Sequence, residues 1–218
     1  MSVFAPAFED LGTAIPIFPL PGVLLLPGGC LPLNIFEPRY LNMTSDALKT
    51  DRMIGMIQPT DGADLDKNPP VYGTGCAGRI ISFEETDDGR YLITLKGTAR
   101  FDISEELEMV SGYRRIAPNW TPYAPDLDEP SGTIPDRPEF LHSLKKYFEL
   151  NSMDANWDAI EDAPCERLVT SVAMICPFEP PEKQALLEAP TLENRIEILA
   201  ALVNMAIMSG NDTCLDRQ

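Results

Sequence analysis

The chain has 218 residues, 44% hydrophobic and 23% charged, the composition of an ordinary soluble globular protein with room for one large domain or two small ones. Its 34 acidic residues outweigh 17 basic ones, and the net charge of −17 repels phosphate backbones and anionic lipid surfaces. No apolar run approaches the ~20 residues of a membrane-spanning helix, and the opening MSVFAPAFEDLG lacks the basic cluster and apolar centre of a signal peptide, so a cytoplasmic location is expected.

In chain order, Ile15 to Leu41 offers two short apolar strands, a Pro-Gly turn at Pro21-Gly22, a break at Pro27 to Gly29, and a helix start at Glu37-Pro38. Leu31, Leu33 and Ile35 alternate as a half-buried strand does. Tyr40, Met43, Ala47 and Leu48 form a helical stripe that stops before Asp51. Met53 to Ile57 suits a buried strand. Gly73, Gly75 and Gly78 mark close backbone approach or sharp bending within the next one, Gly73 to Phe83. Asp88-Gly89 is a hairpin turn, after which Tyr91, Ile93 and Leu95 share a face; Phe101, Ile103 and Val110 to Ile116 supply further strands. Many short strands with Gly and Pro punctuation point to a small closed or nearly closed barrel ending near Trp120.

Thr121 to Pro138 is rich in prolines and acids, carries the Ser131-Gly132 pair, and is expected to build no packed element. A helical last third follows. Asp136 and Glu139 have capping-box spacing, and Phe140, Leu141, Leu144, Tyr147 and Phe148 make one apolar face. Trp157 and Ile160 mark a short helix. Cys165, Leu168, Val169, Val172 and Ile175 then face inward until Pro177 stops the helix. Pro181 to Leu187 is another short helix. Thr191 caps the last one, with Leu192, Ile196, Leu199, Val203 and Ala206 at helical spacing and Gly210 as its end.

Four segments in this order resemble the Lon-protease substrate-binding (N-terminal) domain in the form found in small stand-alone bacterial proteins: IPIFPLPGVLLLPGGCLPLNIFEPRYL, GCAGRI at Gly75 to Ile80, DGRYLITLKGTARF at Asp88 to Phe101, and CPFEPPEKQALLEAPTLENRIEIL at Cys176 to Leu199. The resemblance implies an α+β fold, a PUA-like β-barrel followed by a C-terminal helical bundle. The corresponding division is 1–121 for the barrel, 122–135 for a Pro-rich acidic linker and 136–218 for the bundle. In full-length Lon the equivalent region recognises unfolded or tagged proteins and helps assemble the oligomer. The partners implied are an unfolded or specific client protein or peptide and Lon protease itself; the acidic balance argues against nucleic acid, and no membrane or cofactor is expected. No lysine follows a glycine in the pattern a Walker A loop needs, so Lon's ATPase chemistry is not expected of these residues.

Candidate chemistry is sparse. Cys30, Cys76, Cys165, Cys176 and Cys214 are odd in number and form no CxxC or CxxH, so neither a disulfide framework nor a metal site is expected. His142, the single histidine, falls off the apolar face of its helix. Ser143 and Lys146 match Ser-x-x-Lys without the companion motifs of acylating enzymes, and the acid pairs Glu84-Glu85, Asp87-Asp88 and Glu105-Glu106 read as solvated turns and edges. No catalytic residue is assigned. Phe36, Glu37, Arg39 and Tyr40 are the first candidates for peptide binding, the aromatics lining a groove and the charges pairing. Arg79 and Arg100 come next, each able to read a peptide carboxylate or to close a barrel with an internal salt bridge. The function expected is a non-catalytic protein- or peptide-binding module. An RNA-binding PUA-like protein, and then a hydrolase built on Ser143 or a cysteine, are the alternatives.

Overall fold

A computed structural model of the chain describes residues 8–60, 68–128 and 132–215. Most of the N-terminal stretch, Ser131 and the side chain of Cys214 lie outside those described. The strands are β1 (Ile15–Pro19), β2 (Cys30–Ile35), β3 (Met53–Ile57), β4 (Thr74–Glu85), β5 (Tyr91–Val110) and β6 (Tyr113–Asn119). The helices are α1 (Pro38–Leu48), α2 (Arg137–Leu150), α3 (Trp157–Asp162), α4 (Cys165–Ile175), α5 (Pro180–Glu188) and α6 (Leu192–Leu215), with 3-10 segments at Phe8–Asp10 and Thr121–Leu127. The architecture is α+β around one mixed sheet.

Hydrogen-bonded neighbours run β2-β5-β4-β3-β1-β6, and β6 pairs again with β5. The 20-residue β5 makes this return possible: its first half lies between β2 and β4 and its second half against β6. β1 and β3 are parallel; the other pairs are antiparallel.

The two-residue period of the strands sorts the apolar side chains into two cores. Ile15 and Ile17 of β1, Met53 and Ile57 of β3, Ala77 of β4, Ala99 and Phe101 of β5 and Ile116 of β6 fill one side with Trp120. Phe18, Ile54, Met56, Cys76, Ile80 and Tyr113 of the same strands enter the larger core that the helices cover. Phe101 is fully buried, and Gly75 makes room for it: a β-carbon there would stand 2.5 Å from the ring. Gly78 admits Leu25 in the same way, whereas Gly73 faces open space.

Polar side chains fasten the helices to the sheet. Gln184 of α5 donates to the Thr74 carbonyl, and Gln58 after β3 donates to Gln184 and to the Pro180 carbonyl. Arg100 of β5 donates to the Leu187 and Ala189 carbonyls at the end of α5. The Thr74, Leu187 and Ala189 carbonyls are buried acceptors that burial without a partner would penalise by about 1–3 kcal/mol each.

Four sequence expectations are corrected. Val110 to Ile116 is not one strand, because Ser111 and Gly112, both at positive φ, turn the chain between β5 and β6. Thr121–Leu127 does form an ordered 3-10 segment, held at Asp126 by Arg100. Ile175 is exposed, since Cys176 one position on takes the inward slot at helical spacing from Val172. Gly210 does not end α6, which continues to Leu215; a lone helical glycine costs about 1 kcal/mol and does not break the ladder.

Candidate peptide-binding cleft

β2 ends at Ile35, and the chain passes Phe36 before α1 begins. Glu37 occupies the N-cap with extended backbone, and its carbonyl accepts from the Tyr40 and Leu41 N–H groups, 2.9 Å each. Pro38 at the first helical position gives up only a donor that would have no helical partner. The Glu37 side chain caps nothing; it accepts from Arg39 at 3.0–3.1 Å. Arg39 also lies over the Tyr40 ring at 4.5 Å, and Tyr40 packs on Phe18 with centroids 4.1 Å apart. Burial raises the Tyr40 phenol above its ordinary range despite the Arg39 charge, so it stays neutral. Phe36 is 63% exposed beside this stack.

These residues form one wall of a cleft of about 350 Å³, bounded by Pro32 and Leu33 of β2, by the turn at Pro21 and by Pro59 and Pro69. Prolines and aromatics give it stiff apolar sides. One edge is unusual. β2 pairs only with β5 among the described residues, and Gly97 N–H donates to the Gly29 carbonyl at 2.8 Å. Antiparallel alternation then turns the backbone groups of Leu31, Leu33 and Ile35 toward β5, and those of Cys30, Pro32 and Asn34 outward. Pro32 fits the outward register because it has no N–H to lose.

Four of the six predicted residues, Phe36, Glu37, Arg39 and Tyr40, therefore meet at this cleft. Arg79 does not line it; it is exposed on β4, opposite Met53 and Lys96. Arg100 is 5% exposed. Its Nε and one terminal nitrogen donate to both carboxylate oxygens of Asp126 at 2.7–2.9 Å, and its other terminal nitrogen donates to the Leu187 and Ala189 carbonyls at the end of α5. His142 is exposed, and Ser143 is half-buried while Lys146 is exposed.

The description "ATP-dependent protease La (LON) substrate-binding domain" matches residues 14–205. The chain belongs to that family. Lon protease 2 of Myxococcus xanthus is 24% identical over 214 residues, covering 90% of this chain and 24% of its own length. Lon protease of Parabacteroides distasonis is 31% identical over 106 residues, 48% of this chain and 13% of the relative. The chain thus spans a quarter or less of these two relatives. A crystal structure of a Lon N-terminal domain protein from Xanthomonas campestris superposes with a TM-score of 0.59 at 27% identity, covering 87% of this chain and 98% of that one. The N-terminal domain of Mycobacterium avium complex Lon protease, at 13% identity and a TM-score of 0.60, shares the fold.

Sequence reasoning missed two cations that shape the cleft of this Lon substrate-binding domain. Arg114 of β6 is 8% exposed and donates to the Pro69 carbonyl at 2.6 Å, fixing one wall. Glu106 takes its other nitrogens at 2.7 and 2.8 Å, and the guanidinium holds that carboxyl below the usual range. Lys183 of α5, 6% exposed, donates to the Gly22 carbonyl at 2.7 Å and so fixes the turn that carries Pro21. Burial lowers the Lys183 ammonium from its ordinary value. The available signal for Arg114 was Glu106 eight residues earlier, across a Ser-Gly turn; Lys183 gave none.

Proposed function

We propose that this domain is a non-catalytic recognition module that captures extended, apolar segments of unfolded protein in the cleft between β2 and α1. The supporting observation is the meeting of stiff apolar walls and an exposed aromatic, Phe36, with a sheet edge whose backbone groups face outward. A client strand lies along β2, exchanging main-chain hydrogen bonds with Asn34 and donating to the Pro32 carbonyl, while an apolar side chain enters beside Tyr40. Pro32 interrupts the edge donors, which limits pairing to a short stretch and keeps affinity weak and selectivity broad. Glu37, Arg39 and Tyr40 shape the mouth; Arg79 and Arg100 stand outside it.

The fold side of this reading is a PUA-like β-barrel over 1–121, a linker over 122–135 tied down by Asp126, and a helical bundle over 136–218. Support comes from the second pairing of β6 with β5, and from the run of helices after Asp136. Lon itself is the partner that family membership favours.

The experiment is aggregation of a chemically unfolded client followed by light scattering. The domain retards scattering, and Asn34→Pro, which removes an outward N–H without changing charge, loses most of the effect. Equal aggregation with and without the wild-type domain defeats the proposal.

A further inference from the structure

Two walls of the β2–α1 cleft are held from behind by α5. Pro21 and Pro59 line the cleft, and neither has an N–H with which to anchor itself. Their neighbours supply the anchors. The Gly22 carbonyl, in a turn at φ +70°, accepts from Lys183 Nζ at 2.7 Å. The Gln58 amide donates to the Pro180 carbonyl at 3.1 Å and to Gln184 Oε1 at 3.3 Å. Pro180, Lys183 and Gln184 fall at i, i+3 and i+4, so one face of the start of α5 carries both walls. The Leu20 N–H donates to the Ile57 carbonyl at 3.0 Å and ties the two walls to each other. Neither Lys183 nor Gln58 lines the cleft itself.

This seam is a poor choice for stability alone. Lys183 is 6% exposed, and no carboxylate pairs with its ammonium among the described residues. Gln58 is 2% exposed, and its Oε1 has no hydrogen-bond partner among the described residues. A buried charge without a counter-ion and a buried acceptor without a donor both cost folding free energy. Apolar side chains of the same volume would fill the space without that cost. One turn on, α5 uses them: Leu186 and Leu187 enter the larger core. Groups kept at a cost to stability cluster where function needs a particular geometry. Here both act on the same two walls.

We infer that Lys183 and Gln58 are positioning residues of the client cleft: through Gly22 and Pro59 they hold it at the width a client side chain fills, without touching the client. The inference rests on the reading of that cleft as the client site. Gly22 is half-buried, so its carbonyl turns to water when Lys183 is removed, and the Pro21 wall moves with it.

The test compares the full chain with Lys183→Met, with Gln58→Leu and with the two combined, all near in volume to the residues they replace. The probe is a fluorescein-labelled extended peptide of about nine alternating valine and threonine residues. Its binding is read by anisotropy, stability by urea melts, and the walls by hydrogen exchange at the Leu20 amide. The double variant is expected to bind the peptide about tenfold more weakly. It should melt at the same urea concentration as the wild type or a higher one. Its Leu20 amide should exchange about tenfold faster or more, while the amides of the β4–β5 ladder keep their rates. Each single variant shows the same split at smaller size. Stability lost in step with binding assigns both residues to the fold and overturns the inference, and so does unaltered Leu20 exchange. If the wild type leaves the peptide free, the cleft reading fails, and Leu20 exchange still decides whether α5 holds the walls.

Discussion

Arg39 and Arg100 make the same local contact and end in opposite situations. Each guanidinium sits over a tyrosine ring, Arg39 over Tyr40 at 4.5 Å and Arg100 over Tyr123 at 4.6 Å, and each pairs with a carboxylate. Around Arg100 the ion pair is closed off, with side-chain exposures of 6% and 9%, and two carbonyls at the α5 end accept from its other terminal nitrogen. Around Arg39 the exposures are 26% and 45%, and the pair forms the lip of a cleft. An arginine beside an aromatic is therefore no signature of recognition. Solvent access separates the arginine that holds the fold from the one at the edge of a cleft.

The largest expected effect breaks that contrast at its buried end. Arg100→Ala leaves Asp126 without its partner and two carbonyls without donors, and such a loss from a buried pair costs about 3–5 kcal/mol. Arg39→Ala, in a half-exposed pair, is expected to cost less, about 1 kcal/mol. Urea melts of both variants check this. Equal losses would mean that exposure does not separate the two sites.

A smaller effect comes from titration, again contrasting open and closed surroundings. Cys30 is exposed on β2, whereas Cys176 is fully buried between Tyr147 and Lys183, and burial pushes its thiol from 9.0 up to about 12. The folded state then keeps a proton that the unfolded chain releases above about pH 9. Stability falls as pH rises from about 9 toward 12, by at most about 1.4 kcal/mol per unit for this group. Cys76 and Tyr147 are shifted the same way by burial and steepen the slope. Cys176→Ala should flatten part of it in melts at pH 9 to 11. A thiol reagent should label Cys30 at once and Cys176 only on unfolding. Fast labelling of Cys176 at neutral pH would show that its pocket opens.

What was legible in the sequence follows from range. Helix faces such as Phe140 to Phe148, the Asp88-Gly89 turn and the Pro38 helix start are set within one or two turns of chain, and the structure has them where the spacing puts them. The cluster Phe36 to Tyr40 was legible because its members are adjacent. Contacts fixed by tertiary pairing were not. Periodicity cannot show that β5 runs for 20 residues by changing partners from β4 to β6. Nor can it show that Asp126, in a proline-rich stretch that looks unstructured, is the counter-charge of an arginine 26 residues earlier. Lys183, whose partner is the Gly22 carbonyl 161 residues away, lies furthest from any local signal.

The smallest expected effect sharpens the comparison at its open end. Phe36 is 63% exposed, so removing its ring takes little apolar area out of contact with protein. Surface changes of this kind stay within about 0.5 kcal/mol. Phe36→Ala should therefore melt like the wild type, while its neighbour Tyr40, 5% exposed and stacked on Phe18, should not tolerate the same change. If Phe36→Ala instead lowers stability by as much as Tyr40→Ala, the ring is structural and the cleft loses the one feature that makes its mouth adhesive. If stability holds and client protection falls, the ring is kept in water for what it binds, because the fold has no use for it there.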